Sequence, residues 1–276
     1  MKKTILGFVM MATASAFAIQ GSVSTENETV TGDIKWHPRD KKYVIEKGKI
    51  TKEFKLTDVT GLDIPKPAGF DKAVQQVENG QGSAAVGMLT KIVAEYRMLQ
   101  WDKPAGRYLA LAYLSTGNAQ KALAACEQII AEDKSAEWSG DLAAAYWQAL
   151  LKLGKRDKLE TLVKKAAISG DRQSSAAALV MRGDIIVSSA NDAPEELRKA
   201  LRDGYLRVVL MYQDAECRRE RGEAMLKAAA AVPRARPGRA CRSRRPPSGA
   251  PRRARGGTPG PGTSARPACS RRSAPA

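Results

Sequence analysis

From about residue 28 to residue 64, apolar and polar positions alternate with a period of two. Val30, Ile34 and Trp36 alternate with Thr31, Asp33 and Lys35, with Gly32 on the apolar side, and Tyr43 with Ile45 and Phe54 with Leu56 repeat the pattern. His37-Pro38-Arg39-Asp40 and Lys47-Gly48-Lys49 supply turn chemistry between the runs. Alternation broken by such turns predicts three or four short antiparallel strands, each half-buried. Pro65-Lys66-Pro67 ends the pattern. From Phe70 the apolar residues recur at steps of three and four, the signature of amphipathic helices.

The helices repeat. Gly80, Gly117 and Gly154 stand 37 residues apart. Four residues before each glycine come Gln76, Tyr113 and Leu150. Five after come Ala85, Ala122 and Leu159, and nine after come Leu89, Cys126 and Val163. A fixed period of this size predicts a solenoid of stacked helical hairpins. The glycine allows a tight turn, and a small residue at Ala85 and Ala122 lets the second helix approach the first. A fourth unit follows, with one helix from Ser174 to Val187 and the next from Pro194, a favoured first-turn residue, through Val209. A fifth unit begins at Arg219, and Glu223 to Ala229 reads as its first helix. The expected organisation is therefore a small β module over residues 24–66 and about four helical repeats over residues 67–231, the fifth truncated. The fold class is mainly α. The β module is marginal alone, should lean on the helices, and is a candidate for a small SH3-like barrel.

Thr116-Gly117-Asn118-Ala119-Gln120-Lys121-Ala122, with Tyr113 before it, resembles the centre of a tetratricopeptide repeat. That motif runs small–aromatic–glycine–alanine over ~34 residues as a helix pair. The resemblance covers about residues 67 to 212 and is best in the middle repeat. Departures are the period of 37, Lys134 where a proline usually ends the second helix, and Leu159 in place of the small residue. The resemblance implies a protein-interaction scaffold whose concave groove is lined by the first helix of each unit. It places Arg107 and Gln148 as candidate partner-binding residues, with Gly80, Ala85, Tyr113, Gly117, Ala122 and Gly154 as repeat-defining structural positions.

Charge changes the picture only at the two ends. The formal net charge is +17, and twelve arginines with no lysine or acid lie between Pro233 and Ala276. Residues 19–232 carry only +3. The N-terminus has a basic start at Lys2-Lys3, an apolar core from Ile5 to Met11, and Ala16-Phe17-Ala18 as a small-x-small site. This predicts a bacterial secretory signal peptide over residues 1–18, cleaved after Ala18, and hence a periplasmic or envelope location, with no integral membrane segment after cleavage. From residue 232 the chain becomes Arg/Pro/Gly-rich and of low complexity, and the repeat pattern stops within a helix. Codons for Ala231 to Arg244 read one base later permit a Leu-Gly turn with alanine five residues on, in phase with the fifth repeat. The tail is therefore expected to be a frameshift product. If genuine, it is a disordered polyanion-binding arm, though it lacks the interleaved aromatics that stack bases, and a nucleic-acid partner is not expected.

Catalytic chemistry finds little support. His37 is the only histidine, which excludes a His-based triad or a multi-His metal site, and its place beside Pro38 reads as a solvated turn. Gly80-Gln81-Gly82-Ser83 has neither phosphate-loop spacing and reads as an inter-helix turn. Cys126 falls at a buried helix position, and none of the four cysteines forms a C-x-x-C pair. Trp101, Trp138, Tyr146 and Trp147 read as packing between repeats, and Glu195-Glu196 as a helix start. The function expected is a non-enzymatic scaffold without cofactor or metal. It docks a protein or peptide, or alternatively serves as a structural subunit of an envelope assembly. The oligomeric state is left open.

Overall fold

The computed structural model describes residues 19–191 and 193–232. The expected signal peptide and the Arg-rich segment from Pro233 lie outside the described residues, as do Cys241 and Cys269.

The β module has five strands: β1 Ile19–Thr25, β2 Thr29–His37, β3 Lys42–Lys47, β4 Ile50–Lys55 and β5 Val59–Asp63. One strand, β1, precedes the stretch where alternation is visible, so the module includes Ile19 to Val23 ahead of the start expected at residue 24. All pairings are antiparallel, in the order β4-β3-β2-β1-β5. The consecutive strands β4 and β5 thus lie at opposite edges, joined only by the 3-10 turn Leu56–Asp58. A flat sheet would separate them by about 19 Å at ~4.8 Å per strand, whereas four extended residue steps span at most ~14 Å. The sheet must therefore curl until its edges approach. Val23, Ile34, Tyr43, Ile45 and Ile64 fill the inside, closed by Leu99 from the loop of residues 96–101. Three polar contacts fasten the module to that loop and to the helix after it. The Tyr43 hydroxyl donates to the Met98 carbonyl at 2.9 Å, the Ile64 N–H to the Gln100 side chain at 3.2 Å, and the Trp101 indole to the Ile64 carbonyl at 2.8 Å.

The helices are α1 Phe70–Glu78, α2 Gly82–Glu95, α3 Asp102–Ser115, α4 Ala119–Ile130, α5 Asp141–Lys152, α6 Arg156–Ala167 and α7 Arg172–Ser189. After them come α8 Pro194–Ala200, α9 Leu206–Met211 and α10 Arg218–Ala231. The first three pairs form hairpins with one shared turn. Gly80, Gly117 and Gly154 take φ of +77°, +77° and +69°. The residue after each glycine donates its N–H back five positions, to Gln76, Tyr113 and Leu150 at 2.7, 2.8 and 3.0 Å. This is the Schellman cap, which satisfies a terminal carbonyl and needs a left-handed residue at the glycine. Nothing lies within 4 Å of a Cβ built on any of the three, so backbone conformation and not space demands glycine there.

Ala85 and Ala122 are fully buried where the second helix meets the first. Leu159 is also fully buried, but α6 touches α5 less than α4 touches α3 and leans instead on α7. The larger side chain sits where the third hairpin is more open than the second. First helices α3, α5 and α7 pack in succession, and each second helix packs on the next first helix.

The fourth unit departs from the continuous second helix expected from Pro194 to Val209. A π turn, Leu201–Tyr205, separates α8 from α9. A Cβ on Gly204 would stand 2.8 Å from the Gly183 Cα, and one on Gly183 would stand 2.4 Å from the Tyr205 ring. The extra residue of the turn lets the two backbones touch and lays Tyr205 across α7. Its hydroxyl donates to Asp184 Oδ1 at 2.7 Å.

Candidate functional site

The stacking of first helices brings the two partner-binding candidates together. Arg107 on α3 and Gln148 on α5 line one groove with Val180 and Met181 of α7 and Glu220 and Glu223 of α10. The space is about 30 Å³, far below the ~300–1,000 Å³ of small-molecule pockets. It suits a side chain or a peptide group and no free metabolite. Arg107 is half-buried, with its guanidinium 5.0 Å from the Tyr108 ring centre, and makes no ion pair among the described residues.

The opposite wall carries a buried acid. Glu220 is 2% exposed. One of its oxygens accepts from Arg219 at 2.6 Å and from Gln173 at 3.3 Å, while Oε2 is buried with no hydrogen-bond partner. A buried charge-bearing oxygen without a donor is costly, and it marks a place where a donor would be stabilising. Arg219 also reaches Asp141 at the start of α5, at 2.5 Å. Further along α10, Lys227 bridges Asp184 at 2.5 Å and Glu223 at 2.7 Å. Burial pushes the Asp184 carboxyl up, with Lys227 and the Tyr205 hydroxyl opposing it. Burial works against the Lys227 charge, yet the two carboxylates hold its pKa above the ordinary value. Helix α10 is thus held by these ion pairs together with the apolar contacts of Ala224, Ala228 and Ala231. Sequence reasoning missed Glu220, because Arg218-Arg219-Glu220-Arg221 reads as a solvated charge run.

The remaining candidates sit where packing puts them. His37 is exposed at the end of β2. Gly80 to Ser83 form the α1–α2 turn and the start of α2. Cys126 is fully buried, and burial raises its thiol to about 12. Tyr146 and Trp147 are fully buried, with the Trp147 indole donating to the Glu137 carbonyl at 2.8 Å. Trp101 packs edge-on against Phe70 at 5.4 Å, and Lys165 stands 3.2 Å from the centre of the Trp138 ring. Glu195 and Glu196 lie in the first turn of α8.

Larger cavities lie elsewhere. One of about 560 Å³ sits between the edge strand β5, the α2–α3 loop and the end of α4, with Thr60, Gln100, Asp102 and Asp133 among its walls. Another of about 440 Å³ lies among α6, α7 and α8. Among the described residues no cluster of three or more His, Cys, Asp or Glu side chains could hold a metal ion. None of the described helices is long and apolar enough to cross a membrane.

These features define a helical-hairpin repeat array carrying a five-stranded antiparallel sheet. No family model matches the chain, and no curated protein matches it. Among solved structures, it is similar to the nearly identical TPR-like repeats of a Podosopora anserina protein of kinesin light chain type. That likeness has 18% identity, covers 58% of this chain and 82% of the other, and has a TM-score of 0.38. A substituted form of the same repeats gives 17% identity, coverage of 58% and 91%, and a TM-score of 0.37.

Proposed function

We propose that this chain is an exported, non-catalytic interaction scaffold of tetratricopeptide type, whose concave, first-helix groove docks an extended segment of a partner protein. One observation carries the reading. Arg107, which makes no ion pair among the described residues, and Glu220, whose buried Oε2 has no hydrogen-bond partner among them, line the same groove on different helices. A peptide carbonyl can accept from Arg107, and a small shift of the Glu220 side chain would bring Oε2 within reach of the peptide N–H. The test is selection of binders from a random peptide library on the full chain, followed by the Arg107→Ala/Gln148→Ala double variant. Loss of the selected peptides with unchanged melting is expected. Retention of all of them by a folded double variant overturns the groove as the site.

Export belongs to the same proposal. Its support is the basic start, apolar run and small-x-small site of residues 1–18, and cleavage after Ala18 leaves every described strand intact. N-terminal sequencing of the mature protein should begin at Ile19. The β module is proposed as an SH3-like barrel, on the strength of its strand order and of the 3-10 turn that carries the chain from one sheet edge to the other.

The second reading, a structural subunit of a larger assembly, also has an observation in its favour. Leu210, Met211 and Leu226 are 68%, 58% and 76% exposed on α9 and α10, at the end of the array. Apolar residues grouped in this way mark a contact surface.

A further inference from the structure

The cavity of about 440 Å³ among α6, α7 and α8 shares no residue with the first-helix groove. Its floor is apolar, made by Val163 of α6 and by Leu179, Ile185 and Ile186 of α7. Its rim is cationic, with Lys164 on α6, Arg182 on α7 and Lys199 on α8, against the single acid Glu160. All four rim side chains are exposed, while Leu179, Ile185 and Ile186 are half-buried. Lys199 pairs with Glu196 at 3.8 Å, and neither Lys164 nor Arg182 makes an ion pair among the described residues. Ile168, directly after the groove residue Ala167, is 85% exposed. The space has a structural origin. Its wall on α7 includes the small residue Ala178, and the π turn draws the chain after α8 toward Gly183.

We propose that this groove is a second docking surface, taking an acidic, amphipathic segment of a partner protein that inserts apolar side chains between α6 and α8. Charge complementarity selects the occupant. Carboxylates flanking the inserted residues meet Lys164 and Arg182, which make no ion pair among the described residues although Asp203 lies in the field of Arg182, and a basic segment is repelled. The groove is partly open to solvent. A free acyl chain gains most in a pocket that encloses it, whereas a helix laid in a groove needs only one apolar stripe covered. Cations on α6, α7 and α8 flank such a stripe.

The test uses the full chain and two fluorescent peptides of ~15 residues, one with leucine at i, i+3, i+4 and i+7 among glutamates and one of identical composition scrambled. The arginines after Val232 attract both peptides alike, so the difference between them reads the groove. The striped peptide should bind about tenfold more tightly, the gain expected from burying one leucine. The Lys164→Glu/Arg182→Glu variant should abolish that difference with an unchanged melting temperature, since both side chains are exposed. The Arg107→Ala/Gln148→Ala variant should leave it intact, which separates this surface from the first-helix groove. Equal binding of the two peptides overturns the proposal, and so does a difference that survives in Lys164→Glu/Arg182→Glu. Displacement of the striped peptide by a long-chain fatty acid at equal or lower concentration reassigns the groove to a lipid and overturns it as well.

Discussion

Gly117 and Gly204 are both required by this fold, for different reasons. At Gly117 the backbone is left-handed and the space around it is empty, so Gly117→Ala pays only conformational strain, ~1–2 kcal/mol. Asparagine tolerates that conformation, and Gly117→Asn should recover most of the loss in urea unfolding. At Gly204 the obstacle is the Gly183 backbone 2.8 Å away. Alanine there should cost ~1–3 kcal/mol through overpacking, and asparagine should cost more. Identical responses of the two sites to asparagine would remove the distinction. Asp102 offers a residue-scale test in pH. It is 4% exposed, and burial raises its pKa although the Met98 and Lys103 N–H groups each donate to it at 2.9 Å. A carboxyl whose folded pKa lies above its unfolded value of ~3.9 favours folding most at low pH. Its contribution is lost as pH rises from the unfolded value through the folded one. Asp102→Asn removes that slope, so the melting-temperature gap should move in favour of the variant between pH ~4 and ~7. The neighbouring Asp133, lowered by its bond to Lys103, remains in both proteins and cancels. A gap independent of pH would mean that Asp102 does not carry the shift.

Among elements, the hairpins were the most legible, because one turn chemistry recurs at fixed offsets. The residues four before each glycine, Gln76, Tyr113 and Leu150, are the acceptors of the Schellman bond, so a backbone requirement was written as a sequence period. The small residue five positions after the glycine was equally legible, and its replacement by Leu159 yields a prediction. Leu159→Ala should leave a cavity in the opened third hairpin and cost ~2–5 kcal/mol, whereas Ala122→Leu should overpack the closed second hairpin and cost ~1–3 kcal/mol. Urea unfolding of both variants checks this. Stabilisation by Leu159→Ala would show that the leucine strains the hairpin open and does not fill it. Strand β1 was not legible. Of its seven residues, only Gly21 and Val23 are buried, and a glycine gives no hydropathy signal. Gly21 is nonetheless required there, since a Cβ would come within 2.8 Å of the Asp63 carbonyl oxygen. The π turn was hidden for a similar reason, because it answers to backbone contact between Gly183 and Gly204. Of the groove's lining, Arg107 and Gln148 were named only through the resemblance, which places first helices along it, while Glu220 is buried by tertiary packing that no local charge pattern announces.

For the molecule as a whole, the end of the array and the charge of the chain are one problem. Residues 19–232 carry +3 and the twelve arginines after them carry +12. Helix α10 takes the place of the first helix of a fifth hairpin, against α7 and α9. Repeat arrays cover their last apolar face with a capping helix, yet Leu210 and Leu226 are exposed here. The reading of residues 233–276 as an out-of-frame product accounts for both observations at once. The codons taken one base later permit a glycine turn and a second helix in phase with the other four. Sequencing the gene across the codons for Ala228 to Ala235, with the mass of the native C-terminal peptide, should find one base gained or lost. The corrected protein should be monomeric and indifferent to polyanions. If the frame stands as given, Leu210 and Leu226 remain bare. The chain should then self-associate as its concentration rises, and Leu210→Glu/Leu226→Glu should reverse that association in sedimentation. Its affinity for a polyanion should fall steeply with salt, as expected for release of counterions by an arginine-rich segment. The two outcomes separate a sequence that lost its cap from a protein that uses its uncapped end.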